Sequence, residues 1–573
     1  MLLVRKIFFF LFLLANLTSV GQIDMDQEYL SEWRAFYPSK SVDLGIHASV
    51  YSYEDYSKDR IDAWLNYNKK MEKLLADPVN PYRTGRPINA RLLYNQISNE
   101  IYKWEITQPH LHDLQLYTKA IAQSVQPVWE AVFLLEKEKA DIICQRLQAV
   151  IKLCTAAQNS LTTVEATNLS QGIRQLEKAK NAFNAEFSDR IIKHSGLASC
   201  STIHEDQQLV VQSIEALIKH ISKELKPKSI KDSKVLGITR YAEQLARYTD
   251  SALSPEELAD IALEEIHKVR TLIEDVSAHY LSVQYPDKSY SDASSMVKAA
   301  FENMEKDAPE NGADYLKFWE QLSRDAISFI EKNKIASLPE FQTLRIMSAP
   351  ESAGAAARIG WVDSAPPFSP NPLTTLYLPS VPDTLPEQEK IDFWSSFNKP
   401  FNRMIVIHEL FPGHYMQIKI SRETSHPIRL YFPYPVYFEG WATFCEWVLL
   451  DAGWEKERPL TYLAHLRKRL ENANRAYTSV QVHCNNWTQE QVLKFSTETA
   501  LLAPQFAKSL WGRIMRSPMQ LTSYFLGGKQ FTALLKAEKE RLGTNFNLQL
   551  FMDTIMKAGP IPIDAFYEIF KNR

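Results

Sequence analysis

The sequence predicts a mainly α-helical protein, and three observations carry that expectation. Apolar residues recur at helical spacing along most of the chain, glycine is scarce, and strand-like text is confined to one proline-rich region. Only 17 of 573 residues are glycine, which leaves little for turn-rich β architectures, while Leu, Lys, Glu and Ala favour long helices. Hydrophobic residues at 45% and charged residues at 23% give the balance of an ordinary globular protein. A formal net charge of −3 excludes the basic field that nucleic acid binding requires.

At the start of the chain, Arg5 and Lys6 precede an apolar run from Ile7 to Leu14, and small or polar residues follow through Ser19 and Gly21. This predicts a secretory signal peptide over 1–21, with a mature chain from about Gln22. The run is too short for a permanent membrane span. No cysteine follows it for lipid attachment and no later stretch is long enough to span, so no stable membrane anchor is expected after cleavage.

Residues 22–340 read as successive helices, expected to form one side of a cleft. Ser254-Pro255-Glu256-Glu257 offers a capping serine, proline at the first helical position and glutamate three residues after the serine. Apolar positions follow at Leu258, Ile261, Ile266, Val269, Leu272, Ile273 and Val276, close to a 3.6-residue period. Similar stripes run through 115–160, 170–195 and 205–225. The five cysteines, Cys144, Cys154, Cys200, Cys445 and Cys484, are odd in number and sparse. Cys144 and Cys154 lie about 15 Å apart along one predicted helix, too far to bridge. Core packing is the expected role of most of them.

Near 340 the texture changes within one helical body, and 341–573 is the region expected to carry the chemistry. Prolines cluster between Ser348 and Pro386, and among them Leu373–Leu378 is the best strand candidate. Bounded by Pro372 and Pro379, it reads as a short edge strand or hairpin that could hold an extended peptide, or equally as a surface loop. Helical pattern resumes near Glu387 and leads into His408-Glu409-Leu410-Phe411-Pro412-Gly413-His414.

Two histidines and a glutamate at the end of an apolar run need a reason to be buried. Imidazole suits zinc, and a glutamate beside the first histidine can act as base on an attacking water. The histidines are six apart rather than four, so an unbroken helix would separate them by ~9 Å along its axis. Pro412 and Gly413 offer a bend that brings His414 back towards His408. The bland reading is a capped helix end with two incidental histidines. A second feature favours the metal: Glu439 and Glu446, two turns apart, share one face of an otherwise apolar helix. His408, His414 and Glu439 then form a three-ligand site for one zinc ion. Glu446 orients a histidine or an arginine, and the reverse assignment of the two glutamates stays open.

On these residues the chain resembles the bacterial domain-of-unknown-function 885 family, whose members look like zinc metallopeptidases distantly similar to angiotensin-converting enzyme and the thimet-type oligopeptidases. The resemblance rests on His408, Glu409, Pro412, Gly413 and His414 with Gln417, and on Glu439, Gly440, Trp441 and Ala442 with Glu446. Weaker matches follow at Arg475, His483, Trp487 and Thr488, then at Pro518, Gln520, Tyr524 and Gly527. Asn472, Ser479, Gln481, Met519 and Met552 depart from the pattern, and none is a proposed ligand. The resemblance implies a zincin-like helical body around a deep cleft. It implies Glu409 as general base, His483 and Tyr524 as donors to a developing oxyanion, and Arg475 and Gln520 as holders of a substrate carboxylate. Arg475 could equally pair with Glu446. The expected function is a secreted or periplasmic zinc-dependent hydrolase of oligopeptides, acting from the carboxyl end or internally. The alternatives are hydrolysis of another amide or an ester, and a helical peptide- or solute-binding protein without catalysis.

Overall fold

The structure, a computed structural model, describes residues 25–75, 87–194, 202–229, 235–340 and 342–572. The expected leader over 1–21 lies outside them. The fold is mainly α, with one small three-stranded sheet among the described residues. Among them no helix is long and apolar enough to cross a membrane.

The chain divides into two compact units, one of residues 1–233 with 368–370, the other of 234–367 with 371–573. The boundary therefore falls well before the change of texture at 340. The segment after 234 carries a helix whose apolar stripe packs inside the second unit, and this assigns it there.

In the first unit the long helix Glu136–Ser160 packs against Ile203–His220. Near its beginning a buried carboxylate, Glu100, accepts hydrogen bonds from the Tyr37 hydroxyl at 2.6 Å and from the indoles of Trp64 and Trp104 at 2.9 and 3.0 Å. Three donors satisfy an acid that could not otherwise sit among aromatic rings. Cys154 is a free, buried thiol as expected, but Cys144 is disulfide-bonded, which corrects its reading as a packing residue.

The second unit contains seven helices that build or support the site, together with the sheet. Helix α1 (Pro255–Gln284) begins at the predicted capping box: the Ser254 hydroxyl accepts from the Glu257 N–H at 3.1 Å, and the Glu257 carboxylate accepts from the Ser254 N–H at 2.8 Å. Strands β1 (Leu344–Ser348), β2 (Trp361–Asp363) and β3 (Thr374–Leu378) follow, then α2 (Lys399–Glu409), α3 (His414–Thr424), α4 (Pro435–Asp451), α5 (Pro459–Asn485), α6 (Pro518–Leu542) and α7 (Leu548–Ala558). Leu258, Ile266, Val269 and Ile273 of α1 enter one core with Leu463, Leu466, Leu470 and Ala473 of α5. Ile261, Leu272 and Val276 flank that core half-buried.

The strand order is β1-β3-β2, with β1 parallel and β2 antiparallel to β3. This corrects the expected edge strand. Thr374–Leu378 is the centre of the sheet, and both of its edges are already paired, so it cannot take up an extended peptide. The free edges belong to β1 and β2. Gly360 (φ 74°) lets the chain enter β2 so close to β3 that a Cβ there would lie 2.6 Å from the Tyr377 carbonyl oxygen.

Helices α4 and α6 cross at two glycines. A Cβ on Gly440 would lie 2.6 Å from the Gly527 Cα, and one on Gly527 would lie 2.5 Å from the Gly440 Cα. We expect Gly527→Ala to destabilise the second unit by about 2–3 kcal/mol through overpacking. Ser254→Ala should cost about 1 kcal/mol through the lost cap. Scanning calorimetry of the mature chain checks both, and the crossing glycine should give the larger drop in midpoint.

Candidate metal centre

Helix α2 starts where the Asn398 side chain accepts from the Phe401 N–H at 3.0 Å, and Pro400 lies in the first turn, where its missing N–H costs nothing. Met404, Val406 and Ile407 are fully buried and fix which way the helix faces. It ends at Glu409. The N–H groups of Leu410 and Phe411 both donate to the Val406 carbonyl, at 2.9 and 3.2 Å, and the Gly413 N–H donates to Ile407 at 3.0 Å. The Phe411–Pro412 peptide is cis. A Cβ on Gly413 would lie 1.9 Å from the His408 carbonyl oxygen, so only glycine fits. The buried Trp441 indole N–H, from α4, donates to the Pro412 carbonyl at 2.9 Å and secures the turn. A new helix, α3, then begins at His414. The expected bend is thus a full break, with one histidine in the last turn of α2 and the other in the first turn of α3.

The break brings the predicted ligands together. His408, His414 and Glu439 each offer one ligand atom, and these atoms all lie within 4.8 Å of one another. The Glu439 Oε2 is 3.5 Å from the His408 Nε2 and 3.3 Å from the His414 Nε2. The two imidazoles stand nearly perpendicular, at 86°. For metal–ligand bonds of about 2.0–2.2 Å in a tetrahedral arrangement, neighbouring donor atoms lie roughly 3.3–3.6 Å apart. The donor set and its spacing therefore fit a divalent cation.

Glu446, fully buried, accounts for the other face of His408. Its Oε1 accepts from the His408 Nδ1 at 2.8 Å and its Oε2 meets the His465 Nδ1 at 3.0 Å. A proton on the His408 Nδ1 leaves the Nε2 lone pair aimed at the ligand cluster. Glu446 is therefore the orienting carboxylate and Glu439 the one that faces both imidazoles. Charge follows the same geometry. Burial disfavours the His408 imidazolium, but hydrogen bonds to Glu439 and Glu446 prevail and push it up to about 10. Burial raises both carboxyls as well, yet the histidines outweigh it: Glu439 lies well below the usual carboxylate range and Glu446 at about 2. The cluster is built to hold positive charge between carboxylates.

Around this centre the other expected residues divide. Tyr524, on α6, lies parallel to the His408 ring at 6.5 Å and 9°. Burial, reinforced by Glu439, pushes its phenol up to about 12, so it stays a neutral donor through the physiological range. Gln520 donates to the Tyr524 hydroxyl at 3.1 Å and approaches Glu439 at 3.4 Å, so it supports the site's own groups. Arg475 pairs with Glu471 and donates to Asn472 at 3.2 Å, its guanidinium 5.0 Å from the Tyr524 ring centroid. The alternative pairing of Arg475 with Glu446 is thereby excluded.

His483 is not part of the centre. Its Nδ1 accepts from the Leu236 N–H at 3.2 Å and its Nε2 donates to the Ile514 carbonyl at 3.2 Å, while its ring stacks on Tyr241. Both nitrogens are committed to backbone groups, so it cannot serve as an oxyanion donor. The histidine on α5 that reaches the centre is His465, eighteen residues earlier and about 27 Å away along the axis. Eighteen residues are five turns, so both histidines share a face. The sequence offered no sign of which belonged to the site. The departures Met519 and Met552 are buried packing residues, and Ser479 accepts from the Tyr241 hydroxyl at 3.1 Å.

Glu409 ends α2 half-buried, on the wall of a cavity of about 280 Å³. Among the described residues it has no hydrogen-bond or ion-pair partner, so its lone pairs are free.

Comparison with known proteins agrees on the family. The model of the bacterial proteins of unknown function called DUF885 matches residues 38–568. The chain belongs to this family. Among solved structures, one from Shewanella oneidensis, described as a "putative lipoprotein of unknown function", is similar with a TM-score of 0.80 at 17% identity, covering 95% of this chain and 98% of that one. Another, described as the "putative lipoprotein" from Colwellia psychrerythraea, gives a TM-score of 0.66 at 17% identity, covering 95% and 97%. At that identity the likeness shows the fold alone. No curated protein matches.

The turn at Pro412 generates a prediction within DUF885 chains of this kind. Trp441→Phe keeps the ring but leaves the buried Pro412 carbonyl without a donor, and should destabilise by about 1–3 kcal/mol. Urea unfolding followed by near-UV circular dichroism checks it.

Proposed function

We propose that the chain is a zinc-dependent hydrolase of peptide bonds acting outside the cytoplasm. The observation that carries this reading is the convergence of the His408 and His414 Nε2 atoms on Glu439, beside a carboxylate, Glu409, that has no hydrogen-bond or ion-pair partner among the described residues. His408, His414 and Glu439 would hold one zinc ion. Bound there, the ion would supply Lewis acidity and bring the pKa of a water to near neutrality.

The remaining steps belong to the chain. Glu446 keeps the proton on the His408 Nδ1, and His465 holds the second oxygen of Glu446. Glu409 takes a proton from the attacking water and delivers it to the departing amine nitrogen. Tyr524, neutral and close to the ligand rings, donates to the oxygen that becomes negative as the carbonyl carbon turns tetrahedral. A binding protein would have no need of an unengaged carboxylate beside the ligand cluster. The extracytoplasmic part of the reading rests on the leader-like segment 1–21 and on the description of two similar structures as lipoproteins.

The test is a set of three substitutions on the purified mature chain, incubated with a mixed peptide library and followed by mass spectrometry and metal analysis. Glu409→Gln should retain one zinc per chain and lose hydrolysis by roughly a hundredfold or more. His414→Ala should lose the metal as well, and Glu446→Gln should weaken metal binding by about 10–100-fold. Unchanged hydrolysis in Glu409→Gln would overturn the assignment.

A further inference from the structure

The cavity beside Glu409 has a chemistry of its own. Its walls include Trp361 and Tyr377 from the sheet and Phe401 and Ile405 from α2, with Glu409 at the helix end. Trp361 and Tyr377 are direct partners across β2 and β3, and their rings stack at 4.4 Å and 21°. The polar residues lining it are turned inward on one another. The Asn402 Oδ1 accepts from the Tyr315 hydroxyl at 2.7 Å and from the Trp319 indole at 3.1 Å. The Asn402 amide nitrogen donates to the carbonyls of Phe397 and Asn398 at 2.7 and 2.8 Å. Those four bonds use the full capacity of a side-chain amide. An occupant therefore meets aromatic and aliphatic surface, with one carboxylate at the side.

Size and access narrow the occupant. Pockets for whole small-molecule ligands run from about 300 to 1,000 Å³, and this one, at about 280 Å³, is just below that range. At its rim Ile359 is 74% exposed. A large aliphatic side chain left in water at the mouth of an aromatic cavity is a surface that an apolar group would cover. Position adds the rest, because the cavity wall includes Glu409, the carboxylate proposed to move the proton.

We propose that this cavity receives the bulky apolar side chain of a residue flanking the bond that is cut. This rests on the reading of the neighbouring cluster as a hydrolytic centre. It gives the substrate class: peptides with Phe, Leu or a similar residue at one of the two positions beside the scissile bond.

The test uses binding and cleavage separately. The zinc-loaded mature chain is titrated with the N-acetyl N-methylamides of phenylalanine, alanine and aspartate by calorimetry. The phenylalanine probe should bind roughly tenfold or more tighter than the alanine probe, as burial of a large apolar side chain requires. Trp361→Ala should bring the two within about threefold. Ile359→Asp, a change at an exposed position that disturbs no packing, should weaken the phenylalanine probe selectively. Equal binding of the three probes, or a phenylalanine-to-alanine ratio unchanged in both variants, would overturn the pocket. In the peptide library, cleaved bonds should be enriched for apolar residues at one flanking position. Cleavage without such enrichment defeats the pocket and spares the hydrolase. Selective probe binding with no peptide cleaved defeats the hydrolase and spares the apolar pocket.

Discussion

A side chain at position 413 would put its first carbon 1.9 Å from the carbonyl oxygen of His408 and 2.2 Å from that of Ile407. The absence of that carbon lets the chain fold back on the end of α2 and start α3 after only four intervening residues, 410–413. Everything at the centre depends on this contact. Without the reversal, His414 would stand about 9 Å further along the same axis, on another face. With it, the last turn of one helix and the first turn of the next present imidazoles to the same carboxylate oxygen. Trp441 closes the turn from α4, the helix that also carries Glu439 and Glu446, so one element supplies the ligand carboxylate and the clasp. The glycine crossing with α6, at the residue next to the clasp, holds α4 close enough for Tyr524 and Gln520 to reach Glu439's neighbourhood.

Three carboxylates lie within this small volume, and their different surroundings separate their roles. Glu446 is fully buried and has an imidazole on each oxygen, an arrangement that fixes its charge and leaves no free lone pair in a useful direction. Glu439 faces two imidazole nitrogens at 3.5 and 3.3 Å, a spacing suited to a shared cation. Glu409 faces a cavity and has no hydrogen-bond or ion-pair partner among the described residues. A carboxylate can act as a base only if its lone pairs are available and water can reach it. Environment, more than sequence spacing, makes that distinction among residues of one type.

Much of this was legible in the sequence where the signal was local. The Ser254 capping box, each step of the α1 stripe, the bend at Pro412-Gly413 and the placing of Glu439 and Glu446 on one face all concern residues within two turns of each other, where helical geometry is nearly fixed. The strand at 374–378 was also visible, but its place in the sheet was not, because β1 and β2 are too short and too irregular in pattern to announce themselves. The two α5 histidines mark the limit most clearly. His465 and His483 lie on one face of one helix, and only the tertiary packing of α2 and α4 against α5 decides which meets Glu446. Likewise, Gly440 and Gly527 each look incidental until the crossing that needs both is seen.

The sheet is tied to the same elements and forms the wall of the proposed apolar pocket. The Tyr415 hydroxyl, one residue after a ligand histidine, accepts from the Thr343 N–H at 2.8 Å, and the Thr343 carbonyl accepts from the Thr374 N–H at 2.9 Å. The register of β1 and β3 is thus tied to the start of α3, and β2 follows through its pairing with β3. Trp361 and Tyr377 are held at a fixed station relative to α3 by the backbone pairing of the sheet and by one buried tyrosine hydroxyl. A wall so anchored can select the shape of what lies beside Glu409, whereas the same two rings on a free loop would adapt to anything. On the proposed reading, the proline-rich segment that looked like an interruption of a helical protein would supply the rigid part of a recognition surface.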